Sequence, residues 1–204
     1  MTVFSKSARD LAKICKILKQ GEVVAAPTET AYGLLADATN PHAITKVFII
    51  KGRAEKKVLP LAVSNYTMAQ ELAVFSPLAK KLARGFWPGP LTLVLPARVK
   101  LPPNVVSLDK FVGLRMSGST WLTQLVKTYG RPLTVTSANL SGQSSLYDAV
   151  AVQQSLSRRG LKYIVRSRRL PLRPTSTIVK VAGRRWRIIR LGAITPAKLR
   201  SVIR

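Results

Sequence analysis

Apolar positions along the chain recur in two periods, one near 3.6 residues and one of short continuous runs, and their alternation predicts an α/β fold. Leu11, Ile14, Cys15 and Leu18 fall at helical spacing. Ser7 with Asp10 resembles a capping box ahead of them, and Gly21 supplies the stop. Residues 23–26 read as a buried strand running into Pro27-Thr-Glu-Thr30. A helix follows over 42–51, with Ile44, Val47 and Phe48 on one face, and a short strand over 59–63. Ser76 before Pro77 starts a further helix that ends near Gly85. The stiff Phe86-Trp-Pro-Gly-Pro90 loop then enters a strand over 91–95.

Further strands are predicted over 111–116 and 133–136, helices over 119–129 and 147–156, and extended chain over 162–165. Residues 177–181 and 185–189 form a hairpin across Ala182-Gly183, and Thr195-Pro196 opens a last helix. The expected architecture is one twisted, mixed sheet flanked by helices, because a hairpin argues against a purely parallel sheet. The chain has 204 residues, 47% of them hydrophobic, which suits a single domain over 1–204 with no internal repeat.

Charge changes this picture most. Thirty-four Lys and Arg stand against eight Asp and Glu, a net +26, and no acidic residue follows Asp148. Such a field attracts polyanions, whether ATP, RNA or a membrane surface, without choosing among them. A generally basic, solvated surface accounts equally well for the surplus beyond one nucleotide site. The first seven residues lack the apolar run of a signal peptide, and no stretch approaches the roughly 18 apolar residues of a membrane span. The expectation is a cytoplasmic protein with no membrane partner. The single cysteine, Cys15, reads as a buried reduced thiol, and His42 follows a proline in a polar turn, so neither is expected to act as a nucleophile or its base. No cluster of His, Cys and carboxylates has metal-ligand spacing, and no metal site is expected.

Four segments place compact polar groups where α/β proteins bind ligands: Pro27-Thr-Glu-Thr-Ala-Tyr-Gly33, Lys51-Gly-Arg53, Thr136-Ser-Ala-Asn-Leu-Ser-Gly142 and Ser176-Thr-Ile-Val179. Each alone has a local explanation. A Thr-rich turn often bonds its own backbone, and Lys-x-Arg at a helix end complements the dipole. Gly113-Leu-Arg-Met-Ser-Gly118-Ser-Thr120 has phosphate-loop glycine spacing, but Ser119 stands where the lysine belongs, so it reads as a plain strand-to-helix turn.

In this order, and with Phe86-Trp-Pro-Gly-Pro-Leu-Thr-Leu93, Val112-Gly-Leu-Arg115 and Ile188-Ile-Arg-Leu-Gly192, the segments resemble the YrdC/TsaC family of threonylcarbamoyl-AMP synthases. The likeness runs over about residues 21–192 and fits the short form of the family. It implies a YrdC-like fold and the synthesis of L-threonylcarbamoyl-AMP from L-threonine, bicarbonate or CO2, and ATP, with release of pyrophosphate. The product feeds a tRNA modification at adenosine 37 through a threonylcarbamoyl transferase complex. By the same likeness Lys51 and Arg53 bind phosphates and counter developing charge, and Ser137 and Asn139 lie on the nucleotide side with Lys57, Ser145 and Arg190. Thr30, Tyr32, Arg115 and Ser176 face threonine, the planar fork of Arg115 suiting its carboxylate. Mg²⁺ is expected to arrive with ATP.

Three positions depart from the family pattern: Arg166-Ser-Arg-Arg169 replaces an acidic turn, Pro174-Thr175 precedes Ser176 where a small residue and a proline are usual, and Ala62 stands where longer members carry histidine. The alternative function, from another class, is an RNA-binding protein, for tRNA or other RNA, that uses a basic concave face.

Overall fold

A computed structural model describes residues 1–52 and 58–203. The chain opens with β1 (Thr2–Phe4) and α1 (Ala8–Lys19), then β2 (Val24–Pro27), β3 (Tyr32–Leu35) and α2 (Pro41–Lys51). There follow β4 (Leu61–Ala62), α3 (Tyr66–Leu72), α4 (Pro77–Phe86), β5 (Leu91–Pro96), β6 (Phe111–Arg115) and α5 (Thr120–Tyr129). The last part holds β7 (Leu133–Thr134), β8 (Thr136–Ser137), α6 (Ala149–Leu156), a 3-10 turn at Ser157–Arg159, β9 (Tyr163–Val165), β10 (Thr177–Ala182), β11 (Arg185–Arg190) and α7 (Pro196–Ile203).

Helix starts fall where side-chain caps are available. The hydroxyl of Ser7 accepts from the Asp10 amide at the head of α1, and Asp10 reaches past the cap to the Ser5 amide at 2.8 Å. Asn40 accepts from the His42 and Ala43 amides at the head of α2, which Gly52 ends in the left-handed region at φ 57°.

The mixed α/β class is as expected, but the strands form two sheets, not one. One has the order β1-β9-β2-β3-β8, the other β11-β10-β5-β6-β4-β7, and both mix parallel and antiparallel pairs. The reason lies in the stretch expected as one strand over 133–136. Leu133 and Thr134 pair with β4, whereas Thr136 and Ser137 pair with β3. Val135 is the joint, its amide bonded to the Pro60 carbonyl at 2.8 Å. A short apolar run does not reveal which neighbour each of its residues pairs with.

Two cores follow from this division. The larger packs α2, α4 and α6 around β5, β6 and the inner face of β10, with Leu61, Leu91, Leu93 and Leu114 fully buried. The smaller packs α1 against α5, with Ile14, Leu18, Leu122 and Leu125 at its centre. Burying those side chains is worth about 1.5–3 kcal/mol each before chain entropy is counted. No described helix is long and apolar enough to cross a membrane.

Candidate active site

The ends of strands from both sheets meet around a cavity of about 280 Å³. After β2 the chain turns through Thr28, whose hydroxyl accepts from the Thr30 and Ala31 amides at 3.1 and 3.2 Å. That self-bonded turn is what its composition predicts, and it holds Thr30 and Tyr32 in the cavity wall. Tyr32 is wholly buried, and its hydroxyl accepts from the Ser167 amide at 3.1 Å. Burial raises that phenol from its ordinary value, with Asp148 adding to the effect and the Ser167 bond opposing it.

Lys51 is the last residue of α2 and is buried. Its ammonium donates to the carbonyls of Ser137 and Asn139, the latter at 2.9 Å, and the Ser141 amide returns a bond to the Lys51 carbonyl. Asn139 spends its own amide on the Leu140 and Gln143 carbonyls, at 2.8 and 2.7 Å. The 136–142 turn and the end of α2 therefore fix one another.

Arg115 ends β6 and is 6% exposed, so it faces the interior although it alternates with apolar neighbours along the strand. Its Nη2 donates to Glu29 at 2.7 Å and to the Thr30 hydroxyl at 3.2 Å. Across the cavity, Arg190 is exposed as a whole residue, but its head reaches Ser176, donating to the carbonyl at 2.8 Å and to the hydroxyl at 3.1 Å. Ser176 shares a hydrogen bond with Thr92 at 3.0 Å. Desolvation of the Arg190 head, then the nearby charge of Arg115, lower its proton affinity.

Thr30, Tyr32, Lys51, Arg115, Ser137, Asn139, Ser176 and Arg190 all line this one cavity, although they span most of the sequence. Ser145 is half-buried and outside the lining, and Arg53 and Lys57 lie outside the described residues. Sequence reasoning did not single out Thr92 or Glu29. Glu29 sits inside the quoted Pro27–Gly33 segment, whose Thr-rich composition is already explained by a turn bonding its own backbone. Among the described residues, the wall carries three cations and no carboxylate. Such a wall is suited to a ligand with more than one negative group. The same described residues contain no group of three or more His, Cys, Asp or Glu able to hold a metal ion.

A sequence profile described as "Telomere recombination", that of the Sua5/YciO/YrdC family, matches residues 16–192. The chain belongs to the Sua5/YciO/YrdC family. Threonylcarbamoyl-AMP synthase of Bacillus subtilis is 34% identical over 195 residues, which is 95% of this chain and 56% of the relative. Threonylcarbamoyl-AMP synthase of Vibrio vulnificus is 40% identical over 150 residues, 72% of this chain and 81% of the relative. Sua5 of P. abyssi, solved in complex with L-threonine, superposes with a TM-score of 0.93 at 27% identity, covering the whole chain and 61% of that protein. The chain thus spans little more than half the length of the Bacillus and P. abyssi relatives. This fold places residues of all four motif segments in the wall of the one cavity, the Lys51-Gly-Arg53 segment being represented there by Lys51 among the described residues.

Proposed function

We propose that this chain synthesises L-threonylcarbamoyl-AMP from L-threonine, bicarbonate or CO2, and ATP, releasing pyrophosphate. The observation that carries the reading is the cavity wall with three cations, several hydroxyls and no carboxylate. The names of the bacterial relatives and the threonine bound to the P. abyssi protein support it.

In this reading the threonine amine attacks the carbon of CO2, and the resulting carbamate oxygen attacks the α-phosphorus of ATP as pyrophosphate leaves. Two anions must be held together while charge builds on the phosphates, which is electrostatic work for fixed cations. Arg115 takes the threonine carboxylate, beside Thr30 and Ser176, with Tyr32 closing the pocket. Lys51, fixed by backbone carbonyls, faces the phosphates. Ser137, Asn139 and Arg190 lie on the nucleotide side, where Arg53, Lys57 and Ser145 also belong. Mg²⁺ accompanies ATP as part of the substrate, since the described wall offers hydroxyls and amides but no carboxylate to hold the ion itself.

The product then serves the transferase complex that modifies tRNA in the cytoplasm. A single domain over 1–204 would suffice for the synthase step. Exposed Arg184, Arg185 and Arg187 on and beside β11 favour contact with RNA as an added property of the same enzyme.

The test is pyrophosphate release from ATP by purified protein, with L-threonine and bicarbonate each present or omitted. Release that needs both is expected, and Lys51→Ala should lower it by at least about a hundredfold, as loss of a fixed electrostatic donor does elsewhere. Release indifferent to threonine would exclude the synthase.

A further inference from the structure

Glu29 has no part in the chemistry above, yet four of its contacts converge on one purpose. Its Oε1 accepts from Arg115 Nη2 at 2.7 Å and from the Gly118 amide at 2.9 Å, while Oε2 accepts from the Ser117 hydroxyl. Glu29 also packs closely on Gly118, whose missing side chain would begin 3.4 Å from the Glu29 Cγ. The carboxylate is thus gripped by the turn that leads from β6 into α5. That turn is the stretch with phosphate-loop glycine spacing, and it holds a carboxylate of its own chain. Glu29 in turn grips Arg115.

We infer that Glu29 is a positioning residue, which orients the Arg115 guanidinium for the carboxylate of the amino-acid substrate. The inference rests on the synthase reading. Nη2 of the guanidinium is committed to Glu29 and Thr30, and Nε is buried without a hydrogen-bond partner among the described residues. A buried donor left unsatisfied is costly, and a substrate carboxylate oxygen can relieve it. Glu29 also supplies the negative charge that lets Arg115 stand near Arg190. Without it the two guanidiniums would repel, and Arg115 would be free to turn from its productive orientation. A long side chain held in advance loses less freedom when the ligand arrives, so the effect belongs to amino-acid binding.

Steady-state pyrophosphate release by wild type, Glu29→Gln, Arg115→Gln and the double variant tests this. Glu29→Gln keeps the shape and removes the charge. It should raise KM for L-threonine about tenfold, as expected for losing a charged hydrogen bond, with KM for ATP within twofold. Glu29→Asp, which keeps the charge, should recover part of the loss. In the Arg115→Gln background, Glu29→Gln should add nothing, because its partner is already gone. Should Glu29→Gln not fold, Ser117→Ala, which loosens Glu29 without touching Arg115, should give a smaller rise in the same constant. An unchanged threonine KM, an equal rise for ATP, or additivity in the double variant would each overturn the inference. An active wild type with any of these results leaves the synthase standing, whereas a wild type without threonine-dependent release removes both.

Discussion

Gly192 has room for a hydrogen and nothing larger. A Cβ there would lie 2.0 Å from the Thr175 carbonyl oxygen and 2.6 Å from the Ser176 carbonyl carbon. The Gly192 amide bonds the Thr177 hydroxyl at 3.0 Å, and the Ala193 amide bonds the Thr175 carbonyl at 2.9 Å, so the segment is laced directly behind Ser176. Gly192→Ala should therefore destabilise the protein by about 1–3 kcal/mol and raise KM for threonine, read by urea unfolding and by pyrophosphate release. At Glu29, burial alone would raise the carboxyl, but the Arg115 charge, the Ser117 hydroxyl and the Gly118 amide together take it below its ordinary value of 4.5. A carboxyl lowered in this way adds stability that is full above the ordinary value and lost as pH falls through the lowered folded one. Wild type should thus exceed Glu29→Gln in stability at neutral pH, and the gap should close on acidification below about pH 4.5. An unfolding series over pH checks it; a gap that widens in acid would contradict the ion pair. At this scale the motif residues were legible because each stands in a short polar segment. Glu29 and Thr92 were not, since their roles come from partners 86 and 84 residues away.

Among the elements, helices with a cap and one apolar stripe were readable from sequence, as α1, α4 and α5 show. Their caps, Ser7, Ser76 and Ser119, all accept from the third residue on. Three elements escaped notice for local reasons. β3 is buried at all four positions and shows no alternation, β1 has three residues, and α3 has barely two turns with little apolar pattern. Arg190 illustrates a subtler limit. Strict alternation along β11 would put it on the face of Trp186 and Ile188, whose partners Val181 and Val179 are buried. A register shift instead sets it opposite Ile178, a residue of the cavity wall, so one extra residue re-aims the side chain. The element that carries Lys51 offers a clean stability test. Asn40→Ala removes the side-chain oxygen that accepts at the head of α2 and should cost about 1 kcal/mol in denaturant unfolding. Lys51 lies at the opposite end of the helix, so threonine KM should hold.

Across the whole molecule the net charge of +26 is the dominant long-range term. Five ion pairs occur among the described residues, and in four of them at least one partner is substantially solvent-exposed, so local pairing offsets little of the surplus. Self-repulsion should relax as salt screens it, so the thermal midpoint is expected to rise between about 0.05 and 0.5 M NaCl. Any association with RNA should weaken steeply over the same titration. A midpoint that falls with salt would show that specific ion pairs outweigh the general repulsion. The field was legible from composition; the division into two sheets was not, because it turns on the pairing of Val135's neighbours. That joint constrains how the gene can change. Successive strand residues face opposite ways, so one residue added between Thr134 and Thr136 would turn the Ser137 side of the cavity over while leaving the β4 side in place. Over generations the joint can accept other side chains, but its length is not free to drift.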